Sequence, residues 1–261
     1  MNDVVKVLLG IDFGTSTTVL CLQEYAKDGC PIGVVQCLEE IPTVVYKDPE
    51  GNCYFGKDAE RRYLNQRTGM LYRNFKIGLA SADCSESKKL VEEFIKNLFD
   101  ISRSRMMFYV RKDCQIQTLI SVPVKWSAVI KEFMRKAACD AGFGFGLGEN
   151  EIKVVNEPNA ATYAVILPRI SDLRENGVLE PSRTSNVMMI DMGAGTTDIT
   201  IFKLRFNTGI PVIDDDSVHT YPHSKCPVFC GGREIDETLS KYFKETFHST
   251  KSIDTICSGG F

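Results

Sequence analysis

The phrase IDFGTSTT at residues 11–18 returns as IDMGAGTT at residues 190–197, and this repetition constrains the fold more than any other feature of the chain. Matching Asp12 to Asp191 without a gap, Ile11, Gly14, Thr17 and Thr18 meet Ile190, Gly193, Thr196 and Thr197. Branched residues lead into and out of each copy, over 4–11 and 19–22 and again over 187–190 and 199–204. Each copy therefore reads as a strand, a tight turn and a returning strand. A plain hairpin with an Asp-capped turn accounts for one copy. Two copies that keep both the carboxylate and the Thr pair favour a shared ligand.

The residue types indicate what that ligand is. A small turn with accessible backbone N–H groups and hydroxyls is concave toward anions, and glycine lets phosphate oxygens approach the main chain. A carboxylate at the strand end would repel phosphate unless a cation stood between them. Mg²⁺ suits that place, because it keeps several waters and is held through few carboxylates. Two such hairpins facing each other would grip a nucleotide's phosphates from both sides. No Gly-x-x-x-x-Gly-Lys-Ser/Thr loop occurs, and no helix follows the first hairpin as a dinucleotide fingerprint requires.

Between the copies strands and helices alternate, which predicts α/β architecture. Strands are expected over 34–45, broken at Pro42, and at 53–55, 118–122 and 152–155. Apolar residues at helical spacing predict helices over 87–99, from an N-cap at Ser127 to Gly142, from Pro158 to Pro168, and over 234–247. The polar stretch 169–185 reads as an exposed loop.

Composition narrows the partners. The 261 residues are 25% charged with a formal net charge of −3 and no basic block, which argues against nucleic acid or a membrane surface as the partner. The opening residues lack a secretory pattern, and ten cysteines without a regular framework read as reduced thiols. The expected location is the cytoplasm. His219, His223, Cys226 and Cys230 are all zinc-ligand types, but their spacing matches no finger or knuckle, so ordinary loop and strand residues are expected there.

Both phosphate phrases resemble those of the actin, sugar kinase and heat shock chaperone superfamily. VVNEPNAATYA, with SVPVKW upstream and CGGREID downstream, resembles the heat shock protein 70 family in particular, and the pieces keep their order from about Val7 to Phe243. The resemblance implies an actin-like ATPase fold of ribonuclease H-like repeats, with two lobes of mixed sheets flanked by helices closing on Mg-ATP or Mg-ADP. It implies a first lobe over 1–185, with an inserted subdomain at about 40–115, and the start of a second lobe over 186–261. Asp12, Asp191 and Asp198 would organise Mg²⁺, largely through water. Gly14, Thr15, Ser16, Gly193, Gly195, Thr196, Thr197, Gly231 and Gly232 would contact phosphates. Lys76, in NFKIG, resembles the family's catalytic lysine, acting with Asp191, Thr196 and Asp198. Pro123 and Glu157 resemble the pair that relays nucleotide state between lobes.

There are departures from the family pattern. Thr17 stands where an aromatic residue is common, Ala194 replaces a glycine, and residues 169–185 are longer than usual. The sequence stops at Phe261, before the adenine-binding motif and peptide-binding region, so the second lobe is expected to be incomplete. The implied function is Mg-ATP hydrolysis driving a conformational cycle on unfolded polypeptide, with clients and co-chaperones engaged through C-terminal regions beyond this sequence. Two rival readings are a non-hydrolysing nucleotide-binding scaffold and an actin-like filament ATPase. The NEPNAA segment disfavours the filament.

Overall fold

The computed structural model describes residues 4–109, 114–145, 151–180, 182–194, 197–207, 210–221 and 232–247. In chain order the elements are β1 (Val4–Phe13), β2 (Thr17–Ala26), β3 (Pro31–Pro42), β4 (Val45–Lys47), β5 (Cys53–Phe55), α1 (Gly56–Gln66), β6 (Met70–Tyr72), α2 (Phe75–Gly78), α3 (Ser85–Tyr109), β7 (Gln115–Val122) and α4 (Ala128–Ala138). They continue with β8 (Ile152–Asn156), α5 (Glu157–Ile166), α6 (Ile170–Glu175), β9 (Ser185–Met192), β10 (Thr197–Asn207), β11 (Ile210–Tyr221) and α7 (Gly232–Phe247). Two compact units result, Met1–Ala160 and Ala161–Phe261.

The first unit is built on a five-stranded mixed sheet in the order β3-β2-β1-β7-β8. The β1–β2 hairpin is antiparallel, whereas β7 runs parallel to β1 and β8 parallel to β7. Along β1 the alternate residues Val7, Leu9, Ile11 and Phe13 are buried, which leaves Gly10 and Asp12 on the opposite face. Leu90, Val91, Phe94, Ile95 and Leu98 of α3 join them in one core. Each such fully buried apolar side chain stabilises by about 1.5–3 kcal/mol. Phe94 packs against Phe13 and Phe75, with ring centroids 5.9 and 5.8 Å away.

The third helix runs ten residues beyond the apolar run that predicts it, because Ser102 and Met106 continue its buried stripe. The Ser102 hydroxyl, which would otherwise be a buried orphan, donates to the Leu98 carbonyl at 2.6 Å. Ser127 caps α4 as expected, accepting from the Ile130 N–H at 3.4 Å. After α4 the chain makes a wider turn over Cys139–Phe143 in which Gly142 has φ 115. A Cβ there would lie 2.6 Å from the Phe99 ring, so both backbone and space demand glycine.

A small antiparallel sheet, β5-β4-β6, holds its own core around Tyr46 under α1. The buried Tyr46 hydroxyl donates to Gln66 Oε1 at 2.7 Å.

The second unit carries the antiparallel sheet β11-β10-β9. Ile166, Leu179, Phe202, Leu204 and Ile213 form its core. Residues before the second phosphate phrase thus pack with the strands that follow it. Accordingly the compact units part after Ala160, whereas the family resemblance implies a lobe boundary at residue 185. Within 169–185, expected as a loop, the chain forms α6, and Leu179 is buried. The expected helix end at Pro168 is realised as α5 ending at Ile166 with one tighter turn over Leu167–Arg169. The mixed sheet with its flanking helices is an α/β arrangement of the actin-like ATPase type.

Candidate functional site

Three parallel strands bring the first unit's candidates to one edge of the sheet. Asp12 of β1 lies beside Ser121 of β7, and Val122 of β7 lies beside Asn156 of β8. Pro123 and Glu157 immediately follow these strands. The C-terminal edge of parallel strands is where open α/β sheets generally bind ligands.

Asp12 is exposed, and one carboxylate oxygen accepts from the Ser121 hydroxyl at 2.7 Å. Ser121 is itself 8% exposed, so this contact fixes the orientation of the acid. The turn after Asp12 is equally constrained. Gly14 N–H donates to the Asp12 carbonyl at 3.1 Å, and a Cβ on Gly14 would fall 2.2 Å from the Thr17 carbonyl oxygen. Only glycine fits. Ser16 is exposed and Thr15 half-buried, while the Ser16 carbonyl accepts from Thr43 N–H at 2.7 Å. The buried hydroxyls of Thr18 and Thr43 lie 2.8 Å apart and anchor the turn from below. The repeated Thr pair therefore splits in the first copy: Thr17 faces solvent and Thr18 is structural.

Lys76 enters from α2, whose preceding residue Asn74 takes a left-handed conformation with φ 60. The lysine is 7% exposed. Its ammonium lies 6.0 Å from the Phe13 ring centroid and 5.9 Å from that of Trp126, and forms an ion pair with Glu157 at 2.5 Å. The structure thus joins two candidates that the sequence offered for different roles. Lys131 of α4 donates to the Val124 carbonyl and to Asn156 Oδ1, both at 3.1 Å, tying the segment after Pro123 to the end of β8. Ser121, Trp126, Lys131 and Asn156 escaped the sequence reading. Their roles depend on how β7 pairs with its neighbours, although SVPVKW and VVNEP contain three of them.

Cys21 faces Gly10 across the β1–β2 ladder, two residue pairs from Asp12. Burial, then the neighbouring Cys37 thiol and the hydrogen bond to it, then the Asp12 carboxylate push the Cys21 thiol up to about 11.

In the second unit, Asp191 near the end of β9 is exposed and is the ladder partner of Asp198 on β10. The Gly193 carbonyl accepts from the Gly232 N–H at 3.1 Å, which brings the start of α7 against the second phosphate phrase. Gly232 also lies close enough to Ala194 that an added Cβ would touch it at 3.7 Å. A helix start beside a small-residue turn favours anions through its outward N–H groups. Gly195, Thr196 and Gly231 lie outside the described residues, as does the side chain of Asp198. His223, Cys226 and Cys230 lie outside them too.

Among the described residues no three His, Cys, Asp or Glu side chains converge on one point. The donors on offer are single carboxylates beside turns able to take phosphate. That set fits Mg²⁺, which binds through one or two carboxylates together with water and substrate phosphates. Among the described residues no helix is long and apolar enough to cross a membrane.

Comparison with known proteins adds the family. The profile described as Hsp70 protein matches residues 109–258. The "Chaperone protein DnaK" of Endomicrobium trichonymphae is 22% identical over 258 residues, covering 95% of this chain and 36% of that protein. The "Chaperone protein DnaK" of Thermoplasma volcanium is 21% identical, over 95% of this chain and 37% of its own length. The "Mitochondrial-type heat shock protein 70" of Encephalitozoon cuniculi is 26% identical, over 95% of this chain and 41% of its own length. The chain spans about two fifths of the length of the relatives it matches. With more than half of its residues matched by the family profile and both phosphate phrases built as hairpins, the chain belongs to the Hsp70 family.

Proposed function

We propose that the chain binds Mg-ATP and Mg-ADP through its two phosphate hairpins. In a protein of the relatives' length, we propose, hydrolysis would drive a conformational cycle on unfolded polypeptide, with co-chaperones engaged through C-terminal regions. The observation that carries this reading is the shared design of the two turns. Each places an exposed aspartate at the end of a strand and a small-residue turn after it, one braced by Ser121 and Thr43, the other closed against the start of α7.

Asp12 and Asp191 would hold Mg²⁺ through its waters, with Asp198 beside Asp191. The metal would supply neutralisation of phosphate charge. Gly14, Thr15, Ser16, Gly193, Gly195, Thr196, Thr197, Gly231 and Gly232 would receive the phosphate oxygens. In this reading Lys76, with Asp191, Thr196 and Asp198, orients the attacking water and stabilises the departing γ-phosphate, by positioning and charge instead of covalent chemistry. Lys76 would exchange its partner, from Glu157 to phosphate, as nucleotide binds. Glu157 and Pro123 would pass that exchange on from the C-terminal edge of the sheet.

A second reading, a nucleotide-binding scaffold that does not hydrolyse, is favoured by one observation. Lys76 is buried and already paired with Glu157. A lysine held permanently in that pair would not reach the γ-phosphate.

Binding itself is testable by thermal unfolding. A ligand that binds only the folded chain raises its melting temperature by mass action, by about 2.7 kcal/mol of stability at a hundredfold excess over Kd. Mg-ADP and Mg-ATP are expected to raise the melting temperature of the chain, and Mg²⁺ alone to do so far less. Equal melting curves with and without saturating Mg-nucleotide contradict nucleotide binding.

A further inference from the structure

We propose that Cys21 and Cys37 form a reversible disulfide site, closed by thiol–disulfide exchange with a low-molecular-weight disulfide of the glutathione type. The two are direct partners across the antiparallel β2–β3 ladder. Antiparallel partners stand about 4.5–5.5 Å apart at Cα. That spacing lies within the range of about 4.4–6.8 Å over which a disulfide closes without moving backbone.

A bulge creates this juxtaposition. Leu20 pairs with Glu39 and Cys21 with Cys37, so Leu38 is the extra residue of β3. Leu38 turns into the core at 4% exposure, and Cys37 stands exposed beside it. Without that bulge, a continuous register would place Leu38 opposite Cys21. On β2 the core-facing residues are Thr18, Leu20 and Leu22, which puts Cys21 on the outer face, half-buried. The Cys37 thiol donates to the Glu39 carbonyl at 3.7 Å. Cys37 lies exposed on the edge strand of the sheet, where a small reagent can approach, and its ladder partner Cys21 lies on the strand next to it.

The chemistry runs in two exchanges. The Cys37 thiolate, having released its proton to solvent, attacks the glutathione disulfide; a Cys37–glutathione bond forms and one glutathione thiolate leaves. Cys21 sulfur then attacks Cys37 sulfur: the Cys21–Cys37 bond forms as the Cys37–glutathione bond breaks, and the Cys21 proton passes to the departing glutathione thiolate. The protein dithiol is oxidised by two electrons and one glutathione disulfide is reduced to two thiols. The product staples β2 to β3 two residue pairs from Asp12, on the same face of the sheet.

The test is non-reducing peptide mapping of the 261-residue chain after exposure to glutathione disulfide, with remaining thiols alkylated. The expected product is a peptide pair linked through Cys21 and Cys37, released by dithiothreitol, as the principal intramolecular link. Cys21→Ser should stop the reaction at glutathione on Cys37, and Cys37→Ser should leave Cys21 as a thiol. Retention of the native melting curve shows that each variant is folded. Stable glutathione on wild-type Cys37 with Cys21 alkylated overturns the proposal. So does a Cys37 link to Cys30 in the preceding turn, or the absence of any reaction at Cys37.

Discussion

Lys76→Ala is expected to lower single-turnover ATP hydrolysis by on the order of 10²-fold or more, while changing nucleotide affinity far less. A cation directed at the γ-phosphate matters most when charge builds on the leaving group, so its removal appears in the rate and hardly in ground-state binding. Rapid-quench measurement of phosphate release, in a preparation that turns over ATP, separates the two quantities. Turnover within about twofold of wild type would assign Lys76 to the ion pair alone and favour the non-hydrolysing scaffold.

The same lysine should carry a large stability effect, for a different reason. Lys76 and Glu157 have side chains only 8% and 19% exposed, and they meet at 2.5 Å. Removing one member leaves the other charge in a dry setting, which typically costs about 3–5 kcal/mol, whereas removing both together is often nearly neutral. Lys76→Met and Glu157→Gln are each expected to lower unfolding free energy by about 3 kcal/mol, with the double variant well short of their sum. Urea unfolding of the four proteins checks this. Additive losses would show that the pair is not coupled in solution. Because stability and turnover are read separately, a catalytic loss in a folded Lys76→Ala protein cannot be mistaken for unfolding.

The phosphate hairpins were legible in the sequence because their information is local. Branched runs, a carboxylate and small turn residues recur in one order, and both appear as the ladders β1–β2 and β9–β10. Ser127 as a helix cap was readable for the same reason. Helix α1 was not, because GKDAERRYLNQ buries only Gly56 and Ala59 and shows no apolar stripe. Its hold on the small sheet comes partly through Arg62, which stacks 3.9 Å over the Tyr54 ring. The edge strand β3 was legible as a strand but its register was not, because it leaves Val34 and Val35 exposed and has a bulge, so it does not alternate. Within the candidate site, Asp12, Lys76 and Glu157 carried motif signals, but their pairings did not. Ser121 is 109 residues from Asp12 and Glu157 is 81 from Lys76. Only the parallel pairing of β1, β7 and β8 brings such residues to one edge.

The central claim, that the paired hairpins recognise phosphate through a divalent cation, is tested most directly by calorimetric titration of ADP into the wild-type chain, Asp12→Asn and Asp191→Asn. Each titration is run in Mg²⁺ and in EDTA at equal ionic strength. Asparagine keeps the side chain's shape and removes its charge. Wild type should bind at least tenfold more tightly in Mg²⁺ than in EDTA, and each variant should lose most of that difference while its binding in EDTA stays close to wild type, or tightens as the repulsion of phosphate is relieved; a tenfold change corresponds to about 1.4 kcal/mol. Equal Mg²⁺ dependence in all three proteins would contradict the account.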